Sequence, residues 1–326
     1  MKYTRLGAST LKVSRIGLGT MNFGVTSDEA ESHRILDAFT DRGGTFIDTA
    51  NIYSRGNPQG PFHEQGHSEQ FIGSWLARTG KREQVVLATK VMLDMGDGHA
   101  GLSRTAIRHQ VEQSLRRLRT DRIDLYQAHG WDESVSIDET LAAFDELVTE
   151  GKIRYFGCSN FSENQIELAY ESSARHRLRH FISYQNSFNL VLRNRLRNPM
   201  GNFFLDPGDA SRYGIGLIAY KTLANGFLAG KFHKDAPIPP ESRGSEAVIR
   251  NCYNDRCWKL LEAIGAIAHR HGVTVAQVTL AWYSMHAAIS TALVGARTAA
   301  QISELVGAAD LHITDDDFDL IDKLSR

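Results

Sequence analysis

The chain has no run of 18 apolar residues, and its opening stretch MKYTRLGAST contains no apolar core. Neither a membrane-spanning helix nor a secretory leader is expected, and the reading is of a soluble, unprocessed protein. Cysteine is scarce: Cys158, Cys252 and Cys257 are the three in 326 residues. An odd number without C-x-x-C spacing speaks against a disulfide framework and a zinc ribbon, and for a reducing cytoplasm. An excess of charge of one sign is also missing. Lys and Arg number 37 against 38 Asp and Glu, a formal net charge of −1, with the signs interspersed. That excludes the basic footprint of a nucleic-acid binder. The most basic stretch, Leu192 to Arg197, is short and reads as a solvated helix face. No repeat, low-complexity tract or domain boundary interrupts the chain, so residues 1–326 are read as one domain.

What is present is a core-forming composition, 42% hydrophobic and 9% aromatic. Eight short β-type runs recur: SRIGLGT (14–20), TFIDTA (45–50), QVVLATK (84–90), RIDLYQAH (122–129), IRYFGCSN (153–160), FISYQNS (181–187), GIGLIAYK (214–221) and ISTALVGA (289–296). Most are continuous rather than alternating, as parallel strands covered on both faces require. Capped helical patterns lie between them, such as SDEAESHRILDAFTDRG, SRTAIRHQVEQSLRRL and SIDETLAAFDELVTEG. Asp255 to His286 reads as two helices broken at Gly272-Val273-Thr274. Eight βα units predict a (β/α)₈ TIM barrel rather than an open doubly wound sheet. The nearest approach to a dinucleotide fingerprint, GLGTMN at 17–22, has Asn22 at the third glycine position and opens no helix. Tyr3 to Val13 reads as a hairpin plugging the bottom of the barrel.

In such a barrel functional groups gather at the C-terminal ends of the strands. Those ends carry Asp48, Lys90, His129, Ser159 with Asn160, Gln185, Tyr220, and Gly295 with Arg297. Each alone has a structural explanation, as a helix cap, a solvated lysine or a satisfied core histidine; their convergence on one rim points to chemistry. Tyr53 follows Asp48 by five residues. A phenol with a pKa near 10 is a poor acid at neutral pH. A nearby ammonium such as Lys90 would lower that value, Asp48 would hold the lysine, and His129 could donate to a carbonyl oxygen. That set makes a general acid for a developing alkoxide.

These segments, in this order, resemble the aldo-keto reductases. FIDTANIY is similar to the family's D-T-A-x-x-Y, LATK to its lysine strand, IDLYQAH to its histidine strand and GCSNF to its G-x-S-N-F; YQNSFN stands at its glutamine strand and VGARTAAQ at its G-A-R-x-x-x-Q. The resemblance spans residues 2–322. It implies an NADPH-dependent carbonyl reductase with the tetrad Asp48, Tyr53, Lys90 and His129. It also implies carboxamide contacts from Ser159, Asn160 and Gln185, and Tyr220 stacked on the nicotinamide. Gly19, Thr20 and Met21, with Lys221 to Gly226 including Leu223, would surround the ribose and pyrophosphate. Gly295, Ala296, Arg297, Thr298 and Gln301 would hold the adenosine end, using a helix N-terminus for phosphate. Three departures stand out: Lys221-Thr222-Leu223 where Ser-Pro-Leu is usual, Leu305 where many relatives place an asparagine, and a longer segment from Asn194 to Arg212.

His63-Glu64-Gln65-Gly66-His67 matches the H-E-x-x-H zinc signature. Pro58, Gly60, Pro61 and Gly66 surround it, no apolar helix precedes it and no third ligand is suggested. It is therefore read as a loop shaping the substrate cleft, and no metal is expected. The expected partner is a small-molecule carbonyl compound, with a keto sugar or polyketide-like ketone favoured by similarity of LGTMNFG and the long loop after Tyr53 to nucleotide-sugar ketoreductases. The rival is a cofactor-sensing regulatory subunit like the potassium-channel β subunits of this fold.

Overall fold

A computed structural model describes residues 1–54, 65–193, 212–238 and 245–326. Strands β1 (Tyr3–Arg5) and β2 (Lys12–Ser14) pair antiparallel, Thr4 facing Val13. The next eight strands are β3 (Ile16–Gly19), β4 (Phe46–Asp48), β5 (Val86–Val91), β6 (Ile123–Ala128), β7 (Ile153–Ser159), β8 (Ser183–Ser187), β9 (Gly216–Tyr220) and β10 (Ile289–Val294). All are parallel to their neighbours and close into a barrel, β10 pairing back onto β3 through Ala292 and Ile16. The expected TIM barrel with its N-terminal hairpin is the fold of this chain.

The period-2 alternation of a strand explains how that barrel is filled and where its polar groups go. Phe46, Ala88, Leu125, Ile182, Ile218 and Leu293 form the inner apolar layer. Two residues on from the first three, on the same face, stand Asp48, Lys90 and Gln127; Tyr220 stands likewise beyond Ile218. Apolar at the bottom and polar at the top, the same inward face thus makes both core and site. Leu6, Leu11 and Val13 of the hairpin join the inner layer from below, so the hairpin does plug the barrel. Gly7 makes that approach possible: its φ is +59°, and a Cβ there would sit 2.3 Å from the Gly214 carbonyl oxygen.

Around the barrel lie α1 (Glu29–Asp41), α2 (His67–Thr79), α3 (Arg104–Leu118), α4 (Ile137–Thr149) and α5 (Glu163–His176). They are followed by α6 (Ser245–Cys252), α7 (Asp255–His271), α8 (Val275–Met285), α9 (Ala299–Val306) and α10 (Asp315–Ser325). Side-chain caps start most of them, for example Asp28 on Glu31 N–H and Thr274 in a reciprocal capping box with Gln277. The break at Gly272 is where α7 ends, glycine taking the left-handed cap.

One reading is corrected. Arg193, in the stretch taken for a solvated face, is buried: it donates to Asp322 and Ser325 of α10 and lies 5.3 Å over the Trp282 ring. A guanidinium with acidic, hydroxyl and aromatic partners can leave water. Residues 194–197 of that stretch, and the longer segment up to residue 211, lie outside the described residues. Among the described residues no helix is long and apolar enough to cross a membrane.

Candidate active site

Three strand ends and one loop bring the proposed tetrad together. Lys90 Nζ donates to Asp48 Oδ1 at 2.6 Å, to the Thr49 carbonyl at 2.8 Å and to Tyr53 Oη at 3.1 Å. An ammonium has three N–H groups, and these acceptors use all of them. Because the phenol oxygen accepts from Lys90, its own proton points away from the ammonium. Asp48 and Lys90 are fully buried. Burial alone would push Lys90 down, but the Asp48 carboxylate and then Tyr53 outweigh it and hold its pKa above the ordinary value. The fold thus favours the charged form of the lysine.

The other oxygen of Asp48 accepts from Gln127 Nε2 at 3.0 Å and Gln185 Nε2 at 2.8 Å. A buried carboxylate with one ammonium and two amide donors is fully served. Gln127 escaped the sequence reading. Its signal was available, since it is the inward-facing polar residue of IDLYQAH, two positions before His129.

His129 meets Tyr53 edge-on, ring centroids 6.1 Å apart at 75°. Burial, and then the Lys90 charge, bring its pKa down to about 3. The imidazole is neutral, with one N–H to donate. Its Nδ1 meets no hydrogen-bond partner among the described residues. His286, between Trp282 and Phe318, is likewise lowered by burial to about 4. Both side chains bind protons more weakly folded than unfolded, so their contribution to stability is complete above about pH 6.5 and is lost as pH falls towards the folded values. Denaturation midpoints measured from pH 8 down to pH 4.5 are expected to fall steadily below pH 6.5, and His286→Gln to flatten part of that fall; a flat profile would contradict the burial of both rings.

Beside the tetrad, Asn160 Nδ2 donates to the His129 carbonyl at 2.9 Å and to Ser159 Oγ at 3.0 Å, while Tyr220 Oη donates to Asn160 Oδ1 at 2.7 Å. Asn160 holds a left-handed φ of 58°, which asparagine tolerates. Gln185 also donates to Gln127 Oε1 at 3.2 Å, so its amide faces the tetrad. Pairing of β3 with β10 sets Gly19, Thr20 and Met21 beside Gly295, Ala296 and Arg297, and Asn22 Nδ2 bonds the Ala296 carbonyl at 3.2 Å. Lys221, Ala224, Asn225 and Gly226 all have positive φ. Backbone held this way by non-glycine residues is unfavourable and clusters at ligand clamps. Leu223 closes that turn by accepting from Gly226 N–H and Leu228 N–H.

At the far side Thr298 caps α9, Gln301 N–H donating to its hydroxyl, and the Gln301 side chain accepts from Arg297 N–H at 2.8 Å. Lys231 was not singled out from sequence. Its Cε lies 3.0 Å from where a Cβ on Gly226 would be, and its pKa is lowered by burial and by Arg297. Two cations that oppose each other suit a shared anion. Leu305, by contrast, is buried in the core. Of the H-E-x-x-H match, His63 and Glu64 lie outside the described residues; His67 opens α2 with its ring 5.8 Å from Phe71.

Known proteins resemble the chain along nearly its whole length. The oxidoreductase YrpG of Bacillus subtilis (strain 168) is 35% identical over 320 residues, covering 96% of this chain and 92% of that protein. A probable voltage-gated potassium channel subunit beta of Arabidopsis thaliana is 31% identical over 318 residues, 95% and 92% of the two chains. Norsolorinic acid reductase B of Aspergillus parasiticus is 31% identical over 341 residues, 98% and 83% of the two chains. The profile described as "Aldo/keto reductase family" matches residues 15–326. With a barrel of this topology and a match across nearly its whole length, the chain belongs to the aldo/keto reductase family, oxidoreductases that act on carbonyl groups with nicotinamide cofactors.

Proposed function

We propose that this chain is a single-domain, cytoplasmic reductase that converts an aldehyde or ketone to the alcohol with NADPH, Tyr53 being the general acid. The observation that carries the reading is the buried Lys90 ammonium shared between Asp48 and Tyr53. When bound, the dihydronicotinamide supplies a hydride to the carbonyl carbon. Tyr53 gives its proton to the carbonyl oxygen as charge develops there, and Lys90 stabilises the phenolate left behind. His129, neutral, donates a hydrogen bond to the same oxygen. Asp48 keeps the lysine aimed, and Gln127 and Gln185 keep Asp48 aimed.

The donor set fits a dinucleotide. Ser159, Asn160 and Gln185 offer polar groups for the carboxamide beside the tetrad, and Tyr220 offers a ring face. Gly19, Thr20 and Met21 with Lys221, Leu223 and Gly226 would border the ribose and pyrophosphate; Gly295, Ala296, Arg297, Thr298 and Gln301 would border the adenosine end, where Lys231 would add a second cation. Cys158, Cys252 and Cys257 are buried, and so few and scattered cysteines suit a reducing compartment. The relative named as a reductase supports the reductive direction, and a keto sugar or polyketide-like ketone is the substrate class we favour.

NADPH is chosen over NADH because a guanidinium rewards a phosphate with paired donors that a ribose hydroxyl cannot match. Losing one charged hydrogen bond, about 1.5–3 kcal/mol, weakens binding roughly 10- to 150-fold. Arg297→Ala is therefore expected to raise the NADPH Kd by that factor and leave NADH almost unchanged in fluorescence titrations. Equal weakening of both would remove the basis for NADPH. A panel of simple aldehydes, diketones and keto sugars, followed by NADPH oxidation, tests the reaction itself. The potassium-channel relative supports a second reading, a cofactor-sensing regulatory subunit. Tight NADPH binding without turnover on any carbonyl in that panel would favour it.

A further inference from the structure

Glu31 is the third residue of α1, where a glutamate ordinarily folds back onto its own helix cap. Here it reaches across to another helix. Its Oε1 accepts from Ala299 N–H, the first residue of α9, at 2.8 Å. Its Oε2 is held by Arg34, whose Nε lies 2.7 Å away. Ser27 Oγ ties the same junction together by donating to the Arg297 carbonyl at 3.1 Å. The positive end of α9 therefore already has an anion, supplied from α1 and partly neutralised by Arg34.

We infer that Glu31 sets cofactor preference: it is a resident carboxylate that competes with the 2′-phosphate of NADPH at the start of α9 and favours NADH in proportion. The inference rests on the nicotinamide reading above and goes beyond it. A phosphate arriving beside Arg297 and Lys231 meets a carboxylate already bound to the adjoining N–H. A ribose 2′-hydroxyl meets no such repulsion, and a carboxylate is an acceptor for it. Selectivity at this end is then a balance: Arg297 and Lys231 pull the phosphate in, Glu31 opposes it, and Arg34 sets how strongly.

Two substitutions with opposite signs test this. Glu31→Gln keeps an acceptor for Ala299 N–H, so the helix cap survives while the charge goes. Removing one like charge several ångströms from a phosphate is worth about 3- to 10-fold, so the NADPH Kd should fall by that factor while NADH binds as before or slightly more weakly. Arg34→Met, a change at a side chain 62% exposed, unmasks the carboxylate and should weaken NADPH instead. Both shifts should shrink in high salt. Binding is read by calorimetric titration of NADPH, NADH, adenosine 2′,5′-bisphosphate and AMP, with no turnover needed. An unchanged NADPH-to-NADH ratio in both variants, with Arg297→Ala still altering it, overturns the role of Glu31 and leaves the cofactor reading standing. Wild-type protein that binds neither dinucleotide overturns the cofactor reading and this inference with it.

Discussion

Tyr53→Phe should lower kcat by roughly 10²- to 10⁴-fold, the usual contribution of a positioned general acid. The substitution is sparing. It keeps the ring, whose centroid lies 4.9 Å from Lys90 Nζ, and removes only the oxygen. Lys90 retains Asp48 and the Thr49 carbonyl. Dinucleotide Kd should barely move, because the phenol addresses substrate. Stopped-flow and steady-state rates on one good carbonyl substrate decide it. A fully active variant would sink the assignment, and His129 could not easily inherit the role, since a ring with a pKa of about 3 carries no imidazolium proton at neutral pH.

Lys90→Met should be as damaging to kcat and should also destabilise the fold. The side chains are similar in size, but Asp48 would be left buried with two amides and no counter-charge. Breaking a buried pair from one side destabilises by about 3–5 kcal/mol, much of it the unpaired charge. The paired change Asp48→Asn with Lys90→Met removes that charge, so the denaturation midpoint should recover while kcat does not. That separation distinguishes tuning of the phenol from support of the barrel. Recovery of activity along with stability would mean the pair is structural, and an active single variant would mean the phenol needs no ammonium.

The elements legible in the sequence are those whose signal is local. Each barrel strand is a short run that buries both faces, so LATK or IDLYQAH carries its own period and ends in its own polar residue. The hairpin and the Gly272 break are equally local. What was not legible depends on partners far along the chain. Arg193 reads as a surface cation until α10 brings Asp322 to it. Gln127 looks like one polar residue in an apolar strand until the barrel curves Asp48 around to meet it. Lys231 and Glu31 sit in ordinary turn and helix contexts; only the packing of α1 on α9, and the turn at Gly226, give them anything to act on. Charge-bearing side chains are the least local of all, because their energies follow burial and distance rather than pattern.

The seam between β10 and β3 has a consequence for how the protein is made. Ile16 leaves the ribosome long before Ala292, its register partner across the seam, whose N–H donates to the Arg15 carbonyl. At ordinary rates of synthesis the interval is on the order of ten seconds to a minute. Throughout it, one side of β3 offers unpaired backbone groups to whatever passes. The nascent chain must therefore be shielded, or carried as an unclosed sheet, until the last strand arrives.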